Sequence, residues 1–72
     1  EDAALDTFAR ALEIDPQQAE VYLERGLLRL EREDGEAARA DFEAALELDK
    51  QAFGAALGLG RAQLLLGYNG EA

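Results

Sequence analysis

The sequence predicts an all-α fold of four helices, and three observations support this prediction. Ala and Leu supply 28 of the 72 residues and Pro occurs once, a composition typical of helices and not of disordered chains. The chain also repeats itself with a period of 34 residues: 12 of the 38 positions aligned by that shift are identical. Within each period the apolar residues recur at helical spacing.

The first and third predicted helices carry the same apolar stripe. In the first helix the stripe consists of Ala4, Leu5, Phe8, Ala11 and Leu12. In the third it consists of Ala37, Ala38, Phe42, Ala45 and Leu46. Both sets fall on one helical face. Asp15-Pro16 ends the first helix, because Pro lacks an N–H and disfavours helical geometry in the residue before it.

The second and fourth predicted helices are apolar over a wider arc. The second covers Ala19 to Glu31, and the turn after it ends in Asp34-Gly35, where Asp34 is a candidate N-cap for the third helix. The fourth covers about Gln51 to Leu66 and stops at the Gly67-Tyr68-Asn69-Gly70 run, with Asn69 as a further N-cap. Short turns predict that each helix is antiparallel to its neighbours in sequence.

The repeated residues resemble the tetratricopeptide repeat, a 34-residue helix–turn–helix unit. One full copy runs over 19–52, with Tyr22 and Gly26 in its first helix and the Ala38, Phe42 and Ala45-Leu46 pattern in its second. Segment 1–18 is similar to the second helix of a preceding unit, and segment 53–72 to the first helix of a following one. The resemblance implies an α-solenoid in which antiparallel units stack with a right-handed superhelical twist.

The resemblance also implies specific contacts. Gly26 and Gly60 are expected to let helix backbones approach closely, and Phe8 and Phe42 to wedge between successive hairpins. Arg25 and Asp41 stand at positions where similar repeats place a charge pair, so we expect a partly buried ion pair within the central hairpin.

Charge and composition exclude several functions. Sixteen acidic residues against seven basic ones give a formal net charge of −9, which argues against nucleic acids and anionic membranes because phosphate binding depends on Lys and Arg. The chain has no Cys and no His, so thiolate and imidazole catalysis and the usual zinc sites are excluded. No apolar stretch is long enough to cross a bilayer. We therefore expect no enzymatic activity, no cofactor or metal, and no membrane insertion.

The resemblance implies a candidate binding surface, a concave groove on the first helices of the units. Family members that grip a peptide C-terminus use Lys, Asn and Arg there, and none of these stands at the matching positions, so that specificity is not expected here. The candidate partner-binding residues are Glu20, Leu23, Glu24, Leu27, Leu30, Leu57, Arg61, Leu64 and Leu65. Such a surface favours an apolar or amphipathic ligand with basic residues. The acidic cluster Glu31, Glu33, Asp34 and Glu36 is interpreted as a solvated turn.

Two hypotheses for function remain open from the sequence. In the first, the groove binds a peptide or helix of a partner protein. In the second, the chain self-assembles head to tail or by exchange, with Leu59 and Leu66 facing a missing neighbour that Phe8 and Leu12 of another copy would supply. The chain contains no Met, so we expect it to be processed or to come from a longer repeat array. Lack of Cys suits the reducing cytoplasm without identifying the compartment.

Overall fold

A computed structural model of the chain describes residues 3–68, and these residues form four α-helices without a strand. The helices are α1 (Ala3–Ile14), α2 (Ala19–Glu31), α3 (Gly35–Leu48) and α4 (Phe53–Tyr68). The predicted all-α class and the predicted number of helices are confirmed for this part of the chain. Within it, no helix is both long enough and apolar enough to cross a membrane.

The helix boundaries follow the predicted signals with one shift. Asp34 caps α3, since its side chain accepts a hydrogen bond from the Ala37 N–H at 3.4 Å. The fourth helix begins at Phe53 and continues to Tyr68, so the predicted start at Gln51 and stop before Gly67 are two residues early. The predicted N-cap at Asn69 lies outside the described residues.

The helices α2, α3 and α4 pack into two layers. Phe42 of α3 contacts Gly26 of α2 and Gly58 of α4, so α2 and α4 lie on the same side of α3. The order of contacts makes α3 antiparallel to both: Gly35 at its beginning meets Leu66 near the end of α4. The Cα atoms span 14 Å in the thinnest direction, which matches two helix layers whose axes lie about 8–10 Å apart.

The core is small and centred on one aromatic ring. Phe42, the largest fully buried side chain, is surrounded by four buried alanines: Ala38, Ala45, Ala55 and Ala62. Small side chains allow the backbones of three helices to close around the ring, so the ring fills most of the space between them. Burial of Ala38 and Ala45 confirms the expected packing of the third helix.

The first helix packs differently from the other three. α1 contacts only α2 among the described helices, and none of its residues is fully buried. Phe8 is expected to wedge between two hairpins, but among the described helices α1 meets α2 alone and Phe8 stays partly exposed. The residue of α2 one period before Gly58 is Glu24, so α2 has no glycine at the position where α4 contacts Phe42.

One residue of the turn between α2 and α3 has a strained backbone conformation. Glu33 has φ 61° and is the only non-glycine residue with positive φ in the described chain. The Asp34 N–H donates to the Arg29 carbonyl and the Glu33 N–H to the Leu30 carbonyl, both at 2.9 Å. These two bonds define a Schellman motif, whose left-handed position favours Gly.

Replacing Glu33 by Gly is therefore expected to raise the free energy of unfolding. A left-handed L-residue costs about 1–2 kcal/mol, and the extra flexibility of Gly in the unfolded chain offsets about 0.5–1 kcal/mol of that gain. We expect a net increase of about 0.5–1 kcal/mol in urea denaturation. Glu33→Ala is the control, because it removes the same charge but keeps the Cβ. Equal stability of the two variants would attribute the effect to charge and contradict the backbone explanation.

Candidate functional site

A groove of about 780 Å³ runs between α2 and α4 at the end of the molecule nearest the α2–α3 turn. Its lining is mainly leucine, with two acidic residues and one basic residue: Leu27, Leu28, Leu30, Glu31, Glu33, Arg61, Leu64 and Leu65. Two of these leucines are well exposed, Leu27 at 45% and Leu64 at 64%. Exposed leucines that gather in one concavity are typical of a contact surface.

The groove exists because α2 and α4 lie side by side on Phe42. A Cβ at Gly26 would lie 2.8 Å from the Phe42 ring, and a Cβ at Gly58 would overlap the same ring. Both glycines thus let their helices approach α3 closely. Gly60, which the sequence assigned to this role, has no neighbouring atom within 4 Å of a Cβ placed there. Within residues 3–68 Gly60 therefore makes no close approach, and the glycine of α4 that does so is Gly58, two residues earlier.

A buried ion cluster fixes α2 against α3. The Arg25 guanidinium donates two hydrogen bonds to the Asp41 carboxylate, at 3.0 and 2.8 Å, and Arg29 donates a third at 3.1 Å. The predicted Arg25–Asp41 pair is confirmed, with Arg29 as an additional member. Because Leu27 and Leu30 lie on the same helix as both arginines, the cluster also holds the leucine side of the groove in place.

No buried side-chain nitrogen or oxygen of the described residues lacks a hydrogen-bond partner, those of the cluster included. The Asp41 side chain is 3% exposed, and those of Arg25 and Arg29 are 18% and 27% exposed. The hydrogen bond to Asp41 raises the pKa of Arg25 above its ordinary value, so this guanidinium stays charged at any pH at which proteins are handled. It also lies over the Tyr22 ring, 5.6 Å from the centroid, a cation–π geometry that orients it toward Asp41.

The groove combines an apolar floor with an acidic edge. Glu31 and Glu33 lie at its α2 end and Arg61 lies on α4. The whole chain carries a formal charge of −9, so the surrounding field adds to the local excess of acid. The arrangement can bury apolar side chains and attract positive charge at the rim.

The structure brings together five of the nine residues predicted for the groove: Leu27, Leu30, Arg61, Leu64 and Leu65. Glu20 and Leu23 instead line a second cavity, of about 710 Å³, at the other end of α2 and α4. Leu23 is partly buried there and packs against the core. Glu24 and Leu57 are exposed and line neither cavity.

Three lining residues were not among the predicted ones. These are Leu28 and Glu31 of α2 and Glu33 of the turn that follows it. The helical position of Leu28, next to Leu27, was visible in the sequence. The contribution of the two acids was not predicted, because acidic residues beside a turn signal were interpreted as a solvated turn.

The expectation that Leu59 and Leu66 face a missing neighbour is wrong for Leu66. A Cβ at Gly35 would lie 3.0 Å from the Leu66 side chain, so Leu66 packs on the beginning of α3. Leu59 packs against the buried core. Leu66 thus takes part in the α3–α4 contact and does not face a missing neighbour, whereas Leu59 keeps part of its surface exposed.

Within residues 3–68 no group of three or more acidic, His or Cys side chains is arranged to hold a metal ion. The one buried carboxylate of this region is Asp41, and both its oxygens accept hydrogen bonds from Arg25 and Arg29. No family model matches the chain, and neither the curated proteins nor the solved structures that were compared include a match. The function is therefore argued from the geometry of the groove.

Proposed function

We propose that the chain is a protein-interaction module that binds a basic amphipathic helix or peptide of a partner in the groove between α2 and α4. The observation that carries the proposal is the groove itself, where Leu27 and Leu64 remain exposed beside three further leucines. Exposed leucines are costly in water, and covering them with apolar side chains of a ligand recovers that cost.

The proposal includes a tetratricopeptide-type architecture. Two features support it: α2 and α4 are one 34-residue period apart and lie side by side, and α3 packs across both through Phe42. A solenoid of antiparallel units with right-handed stacking has this relation between first helices, and their shared side forms a concave groove. The ligand would therefore lie along α2 and α4 on the side facing away from α3.

Charge selects the class of ligand. Glu31 and Glu33 on the rim favour Lys or Arg next to the apolar anchors of the ligand. Arg61 can pair with a single acidic residue of the ligand. A helix presenting leucines at i, i+3, i+4 and i+7 matches the leucine floor. An acidic ligand of the same shape is disfavoured by like charge.

The test uses a peptide of Leu and Lys with all its leucines on one helical face. We expect Leu27→Asp to weaken its binding by at least about tenfold in Kd, because the variant places a charge on the apolar floor. Leu48→Asp is the matched control, since Leu48 is 41% exposed, close to the 45% of Leu27, but lies on α3 outside the groove. Calorimetric titration measures both variants.

Two comparisons make the test decisive. A peptide of the same composition with its leucines scattered around the helix measures charge attraction alone, and it should bind weakly and be displaced by salt. Equal loss of binding in Leu27→Asp and Leu48→Asp, or equal binding of the ordered and scattered peptides, would refute the groove as the binding surface.

A further inference from the structure

One face of α4 is open in the described structure. It consists of Phe53, Ala56, Gly60, Gln63 and Leu64, called here the open face of α4. Phe53 is 81% exposed and Leu64 is 64% exposed, and a Cβ at Gly60 would meet no atom within 4 Å. Two large apolar side chains thus flank an empty position on one helix.

The 34-residue period identifies what such a face contacts. Its equivalents on α2 are, in the same order, Ala19, Tyr22, Gly26, Arg29 and Leu30. Every one of them is engaged in the structure. Ala19, Tyr22 and Leu30 pack against the core, while Gly26 contacts Phe42 and Arg29 bonds Asp41. The open face of α4 is therefore equivalent, one period later, to the face of α2 that packs against α3.

The helix that carries the α3 pattern a second time is α1. Phe8, Ala11 and Leu12 are identical to Phe42, Ala45 and Leu46 one period later. Phe42 and Ala45 are completely buried, whereas Phe8 and Ala11 keep part of their surface exposed. Gly60 on α4 and Phe8 on α1 are thus equivalent to the two residues, Gly26 and Phe42, that contact each other between α2 and α3.

The polar residues at this contact change together. The α2–α3 contact buries the charges of Arg25, Arg29 and Asp41. The residues one period away are Leu59 and Gln63 on α4 and Thr7 on α1, none of them charged. The Thr7 hydroxyl already donates to the Ala3 carbonyl at 2.9 Å. All three equivalent positions are uncharged. An α4–α1 contact between two copies therefore buries no unpaired ion at these positions.

We infer that copies of the chain associate head to tail, with α1 of one copy packing on the open face of α4 of the next as α3 packs on α2. In this contact Phe8 lies against Gly60 as Phe42 lies against Gly26. The two surfaces are different patches, so the contact does not close on itself as a reciprocal dimer does, and it produces open assemblies that lengthen with concentration. The open face shares Leu64 with the groove, so the two proposals are told apart by Leu27, which lines the groove but lies outside both patches of the contact between copies.

The experiment is light scattering on the full chain over a range of concentrations at about 0.15 M salt, where repulsion between copies of charge −9 is screened. The average mass is expected to rise continuously with concentration, and to rise further with added salt because the contact contains no ion pair. Gly60→Ala places a methyl group where Phe8 of the next copy packs, and is expected to lower the association constant at least about tenfold. Phe8→Ala is expected to have a similar effect.

The matched control is Gly54→Ala, which adds the same methyl group to α4 six residues before Gly60 and so on another side of the helix. A Cβ there would make only an ordinary contact with Leu23, at 3.5 Å. This control should leave the association constant unchanged, and circular dichroism confirms that all variants keep their helices. A monomer at every concentration would overturn the inference. So would a dimer that grows no further, or an association that Gly60→Ala does not weaken.

Discussion

Replacing Asp41 by Ala is expected to lower the free energy of unfolding by about 2–4 kcal/mol. The change leaves Arg25 and Arg29, whose side chains are 18% and 27% exposed, without the carboxylate that accepts their three hydrogen bonds. The loss is smaller than for a completely buried pair, because both guanidinium groups can still reach water. Urea denaturation followed by circular dichroism measures the effect.

Two comparisons separate the ion cluster from a general loss of charge. Arg39→Ala removes one partner of the exposed Arg39–Glu36 pair, at 3.3 Å, and should change stability by less than about 0.5 kcal/mol. The triple variant Arg25→Leu, Arg29→Gln and Asp41→Thr installs the residues found one period away, and should be markedly more stable than Asp41→Ala. A triple variant as unstable as Asp41→Ala would contradict the proposed role of an unpaired buried charge.

Gly58→Ala is expected to destabilise the protein by about 1–3 kcal/mol, although Ala is the better helix former. The new methyl group overlaps the Phe42 ring, which cannot move because it is fully buried and also contacts Gly26. Thermal unfolding at concentrations where the chain is monomeric measures the change. Replacing the ring by a smaller side chain should relieve the overlap. The loss of unfolding free energy caused by Gly58→Ala is therefore expected to be smaller in a Phe42→Leu background.

Gly60→Ala is the matched control two residues along the same helix. Nothing lies within 4 Å of the added methyl group in the monomer, so the helix gains about 0.5–1 kcal/mol from the better propensity of Ala. Opposite signs for the two substitutions would follow directly from the contacts of Phe42. Stabilisation by both, or destabilisation by both, would contradict the packing described here.

Much of the fold could be predicted because the 34-residue period and the helical spacing are local properties of the sequence. Pro16 and Asp34 marked helix ends correctly, and the Arg25–Asp41 pair followed from residue types at matched positions. The roles of the glycines could not be separated in this way. Gly58 and Gly60 are two residues apart on α4, and only the rotation of the helix against Phe42 decides which one is in contact.

The site could be predicted in part for a similar reason. Leu27, Leu30, Leu64 and Leu65 stand at positions that line the groove in the repeat family that the sequence resembles, and this resemblance was sufficient to group them. Leu23 and Glu20 stand at such positions too, but they lie toward the other end of α2 and line a different cavity. Helical periodicity gives the direction of a side chain, whereas membership of one groove also depends on how two helices are offset along their axes.

The most direct test of the proposed binding groove is a titration of the Leu–Lys peptide into the protein with labelled leucine methyl groups, followed by NMR. We predict that the shift changes concentrate on Leu27, Leu30, Leu64 and Leu65, which line the groove, and are small on Leu46 and Leu48 of α3. Changes centred on Leu46 and Leu48, or spread evenly over all leucines, would contradict binding between α2 and α4.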